Sequence, residues 1–197
     1  MPGHIKHLIR SDRGVAAIEA AMILPIMIFF IFGTIEIYQY FRAAAILDRA
    51  AFSVADGIAM QTKLVGDGPC NATDHLCTYG VVVGDLMRPV DYKNKGRMTI
   101  RLFGTDTDAS GVTSWTSGSV WGWTCAGDGN CLPGAAGSLP SGIPAPAPKD
   151  TLLVVQVFQI YEPFLITSRL WSSLGGSTEL STTAFYRPRF EDLKTLN

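Results

Sequence analysis

From Val15 to Ile35 the chain is apolar at almost every position, with Glu19 the one ionisable side chain in the run. A helix that is apolar all round needs apolar surroundings. At about 1.5 Å per residue the run extends roughly 31 Å, close to the ~30 Å hydrocarbon core of a bilayer, so a single membrane crossing is expected. Beyond Ile35 the pattern narrows to one face. Ile37, Tyr40, Phe41, Ala44, Leu47, Ala51, Val54, Ala55 and Ile58 step by three or four residues or adjoin one that does. Glu36, Gln39, Arg49, Ser53 and Asp56 fall mostly on the other side. One helix from about Val15 to Thr62 is predicted, apolar all round in its first half and amphipathic in its second. Pro25 removes a backbone N–H and crowds the carbonyl of Ala21, so a kink or loosened turn is expected there, with Gly33 a second weak point.

The remaining pattern is that of a small mixed domain. His75 to Met87 carries Leu76, Val81, Val82 and Leu86, enough for a short helix that Pro89 would stop, although Gly80 and Gly84 weaken it. Arg97 to Phe103 and Glu179 to Tyr186 alternate apolar with polar positions, and Ser119 to Thr124 contains Val120 and Trp121. Leu152 to Tyr161 is dense in Val, Phe and Ile, too apolar to face water on both sides. Four strands in succession predict an antiparallel sheet packed on the outer half of the long helix. Ala126 to Asp150, rich in Gly, Pro, Ser and Ala, reads as a long mobile surface loop.

Charge orients this layout. Lys6, Arg10 and Arg13 outweigh Asp12 before the apolar run, while the whole chain has a net charge of -1. The basic flank predicts a cytoplasmic N-terminus and an extracytoplasmic remainder. The near-zero balance gives no general field for nucleic acid. A cleaved secretory signal is the competing reading. The apolar run is long for one, and the helical pattern continues through Ala43-Ala44-Ala45, the nearest small-residue site. All four cysteines lie on the side expected to be oxidising. Local bridges Cys70–Cys77 and Cys125–Cys131 are the simplest of three connectivities, and neither spacing fits a zinc knuckle.

Enzymatic chemistry is sparsely supplied. His4 and His7 sit before the apolar run, so a hydrolytic triad would rest on His75 with no nucleophile-elbow sequence beside it. Asp106 to Gly111 imitates the start of a calcium loop, but Ser117 stands where the bidentate glutamate belongs, so a polar turn is expected. No catalytic residue, cofactor or metal is assigned. Trp115, Trp121 and Trp123 could offer a glycan-binding face, yet tryptophans on a sheet are more often core or interface.

The most informative stretch is Arg13-Gly14-Val15-Ala16-Ala17-Ile18-Glu19 with the apolar run behind it. A glutamate five residues after a glycine, at the head of an apolar helix, resembles a type IV prepilin processing site, where a membrane aspartyl peptidase cuts after the glycine. Glycine leaves the scissile bond open to close approach. A membrane carboxylate needs a partner, which the new α-amino group of Val15 could supply. The longer string RGVAAIEAAMILPIMIFFIFGTIEI resembles the N-terminus of TadE-like proteins, minor pseudopilins of the tight-adherence (Flp, type IVb) pilus. The likeness covers roughly the first 60 residues, and the Phe185-Tyr186-Arg187-Pro188-Arg189-Phe190 segment is similar to the Tyr-Arg-rich final strand of that family. Ala20 departs from the tyrosine that usually follows the glutamate in major Flp pilins, which favours a minor component.

The resemblance implies a pilin-like α+β fold with a membrane-spanning helix on a small antiparallel sheet. The segments would be a leader over 1–14, a transmembrane helix over 15–35, its amphipathic continuation over 36–62 and an extracytoplasmic domain over 63–197. It also implies a single-pass protein of the inner membrane that either stays there or enters the fibre, with a prepilin peptidase, other minor pseudopilins, the major Flp pilin, an assembly platform and membrane lipid as partners. The alternative is an uncleaved bitopic protein whose outer domain binds a ligand such as a glycan.

Overall fold

A computed structural model describes residues 12–66, 70, 72–134, 137–163, 168–175 and 178–189. Residues 1–11 of the expected leader, and Phe190 of the Tyr-Arg segment, lie outside the described residues. One helix, α1 (Asp12–Ala59), runs for 48 residues and continues through Pro25 without interruption. At about 1.5 Å per residue it is roughly 72 Å long, longer than a bilayer is thick, so part of it must lie outside. Its first half projects away from the rest of the chain, and none of its apolar window is buried. A core helix of a water-soluble domain would be covered; this half of α1 is not.

The second half of α1 is the spine of the outer domain. Leu47, Ala50, Ala51, Val54, Ala55 and Ile58 are buried there. They face a five-stranded antiparallel sheet in the order β5-β4-β1-β6-β7, made of β1 (Gly96–Phe103), β4 (Trp121–Ala126), β5 (Cys131–Pro133), β6 (Leu152–Ile160) and β7 (Glu179–Tyr186). Met98, Ile100 and Leu102 from β1 and Leu153, Val155 and Val157 from β6 form the sheet's inner face with Trp123 and Cys125. Period-two alternation sends the intervening residues outward. There Gln156 joins three strands, accepting from Arg101 Nη1 at 3.0 Å and donating through Nε2 to Thr183 Oγ1 at 3.2 Å. Towards its start β6 is covered on both sides, because Leu152 and Val154 form a second cluster with Phe103 under Leu139 and Ile143.

The sheet has one more strand than expected. Residues 131–133, within the segment read as a loop, pair with β4 as its edge strand, and Cys125 stands directly opposite Cys131. Strand β4 also runs two residues further than expected, to Ala126, to meet that partner. A separate hairpin, β2 (Thr105–Thr107) with β3 (Thr113–Trp115), holds the acidic turn. Asp108 Oδ1 accepts from the backbone of Ser110 and Val112, both at 2.9 Å, so the aspartate closes a turn as expected.

Helix α2 (Leu76–Leu86) packs beside α1, and its glycines have a purpose that sequence periodicity does not reveal. A Cβ on Gly80 would lie 3.3 Å from Cys125 Cβ and 3.4 Å from Gly129 Cα, so the helix lies directly on the disulfide-closed β4–β5 turn. Gly129 supplies that turn's positive φ of 90°. Two short helices, α3 (Tyr92–Lys95) and α4 (Ser168–Ser173), complete the described chain.

Candidate functional site

The glycine and glutamate singled out by the sequence lie at the head of α1. At its head, Gly14 and Val15 are already within the helix. Glu19 follows about one turn later, exposed among exposed apolar neighbours. Met22, Phe29 and Phe30 are 60–69% exposed, so this surface is built for contact with lipid or other apolar helices.

Where α1 reaches the domain, the structure corrects the sequence reading. Glu36, expected on the polar side, is fully buried. The Tyr161 hydroxyl donates to its Oε1 at 2.6 Å. Tyr161 in turn packs edge-on against Tyr40 at 5.3 Å between centroids, and Trp171 from α4 closes the group at 5.4 Å from Tyr40. Burial holds the Tyr161 phenol well above the ordinary tyrosine value, and the Glu36 carboxylate adds to the shift. A signal for Glu36 was present: it lies four residues before Tyr40, which leads on to Ala43 and Leu47 along the buried stripe. Ile37 and Phe41, expected on the packed face, are 51% and 65% exposed instead. They line an apolar groove of about 570 Å³ with Phe30, Gly33, Trp171 and Leu174, continuing the membrane-facing surface onto the domain.

Further out, polar groups of α1 secure the last strand. Asp48 Oδ1 accepts from Thr182 Oγ1 at 2.5 Å, and Asp56 takes the Tyr186 hydroxyl. The Arg189 backbone N–H donates to Ala59 O at 3.3 Å. The Tyr-Arg segment is thus the seam where β7 meets the helix end, and Arg187 pairs with Asp150 at 3.3 Å.

Both local disulfides are formed, Cys70–Cys77 and Cys125–Cys131. The three tryptophans do not make a shared exposed face. Trp123 is buried in the core, and the Trp115 indole N–H donates to Pro144 O at 3.0 Å. His75 is half-buried near Asp74, 3.9 Å away.

Among the described residues one helix is long and apolar enough to cross a membrane, and its outer half is the core of an α+β domain, which is the make-up of a single-pass membrane protein. Residues 14–56 match the sequence model of the family described as TadE-like protein. The match starts at Gly14 and ends within the buried stripe. It thus covers the anchor and leaves the sheet outside. No curated protein and no solved structure matches the chain.

Proposed function

We propose that this chain is a minor pseudopilin of a tight-adherence pilus, cut after Gly14 by a prepilin peptidase and acting as a non-catalytic structural or assembly subunit. The TadE-like match over residues 14–56 supports the reading, and a cut after Gly14 would leave Glu19 as the fifth residue of the mature chain. The uncovered apolar surface of α1 supports it: such a helix is available to pack with like helices of other minor pseudopilins and the major Flp pilin. In this reading Glu19 pairs with the freed amine of Val15, its own or a neighbour's, and sets the register of packing. The basic flank keeps the N-terminus on the cytoplasmic side of the inner membrane, where the peptidase and assembly platform act, and puts the disulfide-bonded domain outside.

The test is the N-terminal sequence of the membrane-extracted protein from cells with and without the peptidase. A start at Val15 that disappears in the peptidase-null strain is expected. An uncut N-terminus in both strains would leave an anchored bitopic protein and overturn the pseudopilin reading.

A further inference from the structure

The apolar groove between α1 and α4 joins the membrane run to the outer domain. Phe29 and Gly33 line it from within the run, while Trp171 of α4 and Leu174 just beyond it form the opposite wall. Helix α4 therefore hangs beside the anchor, at the level where the apolar run ends.

That level holds wherever the hydrocarbon is drawn to stop within the run. A core ending before Phe29 would leave only Val15 to Ile28, about 21 Å of helix, to cross roughly 30 Å. Extending it backwards instead would immerse Arg10, Asp12 and Arg13, at high cost. Phe29 and Phe30 are thus in hydrocarbon, and α4 shares their groove. The aromatic cluster agrees. Tyr40, Tyr161 and Trp171 pack together there, and tyrosine and tryptophan favour the boundary between hydrocarbon and water.

The lining names the occupant. None of the described residues around the groove is charged. The Thr34 hydroxyl is already committed, donating to Phe30 O of its own helix at 2.8 Å. Leu174 is 66% exposed, and a Cβ on Gly33 would meet nothing within 4 Å, so the groove is open and apolar. A polar ligand finds little here to bond, and an apolar one gains by covering the surface. Trp171 packs on Tyr40 and so brings α4 against α1. A second helix lying along α1 would run into α4 at that point, whereas a flexible chain can end there. We propose that the groove holds an acyl chain of a phospholipid from the leaflet next to the domain, which makes α4 a second contact between domain and bilayer. The inference rests on α1 crossing the membrane and is independent of cleavage after Gly14.

The test uses the full chain in phospholipid vesicles. All four cysteines are disulfide-bonded, so a nitroxide placed on Leu174→Cys is selective. That label should collide with oxygen, which concentrates in lipid, in preference to a water-soluble nickel chelate, as a label on Phe30→Cys does. A label on Leu132→Cys, on the edge strand β5 and 70% exposed, should show the reverse. Separately, a phospholipid with the nitroxide on its acyl chain should show a motionally restricted component beside the unaltered protein. Gly33→Trp, which fills open space, should abolish that component. A Leu174 label as open to nickel as the Leu132 label would overturn the proposal. So would a restricted component that is missing with the unaltered chain or kept in Gly33→Trp. Dipolar broadening between Leu174 labels that persists on dilution with lipid would put a second copy in the groove instead.

Discussion

Glu36 is the side chain whose surroundings most change its meaning. In the linear pattern it is a polar residue at the edge of an apolar run; in the fold its carboxylate is buried against Tyr161. Removing either partner costs a buried polar group one hydrogen bond, whereas replacing both with apolar side chains removes that mismatch. Tyr161→Phe should therefore destabilise the protein by about 1–3 kcal/mol while keeping the ring's packing. Combined with Glu36→Leu, the loss should be smaller than the sum of the two single losses. Chemical denaturation of the detergent-solubilised chain measures all three variants, and strict additivity would mean the two groups are not coupled. Glu19 shows the opposite case. It is exposed, as the sequence pattern places it.

At the scale of the element, α1 serves two solvents. Its period can be read in the sequence because burial against a sheet selects a stripe, and burial in lipid selects every position. The stripe through Leu47, Ala51, Val54 and Ile58 was legible for that reason. Ile37 and Phe41 were misplaced because both solvents accept apolar side chains at the border between them. The two halves should respond differently to truncation. Ile58→Ala should cost the outer domain about 2–5 kcal/mol through lost burial and a cavity. Phe30→Ala, whose ring is 65% exposed, should leave the domain's unfolding unchanged. Comparing unfolding curves of the two variants tests this, and a large Phe30→Ala effect would mean the anchor and the domain are one cooperative unit. The strand at 131–133 was illegible for a different reason: its short apolar content is only Leu132, and pairing with β4 beside a disulfide defines it.

For the whole molecule, the buried phenols set a limit on pH. Tyr92 is raised by burial, Tyr79 chiefly by burial, and Tyr161 by burial and by Glu36. Each keeps its proton when folded at a pH where the unfolded chain has lost it. Their stabilisation is therefore complete below the ordinary tyrosine value near 10 and is lost as pH rises through the higher folded values. The denaturation midpoint should thus hold steady from about pH 7 to 9 and fall above about pH 10, together with the appearance of tyrosinate absorbance. A midpoint that holds while tyrosinate appears would mean the phenols titrate without unfolding the core.

Sequence alone determined the apolar anchor, the amphipathic stripe, the strands with strong alternation and the pairing of cysteines close in the chain. Each depends on neighbours within a few residues or on the solvent a whole segment meets. Tertiary structure alone decided that Glu36 faces Tyr161, that Gly80 lets a helix rest on a disulfide and that β5 joins the sheet. These are meetings of residues distant in the chain, and no local period encodes which distant partner a side chain will find.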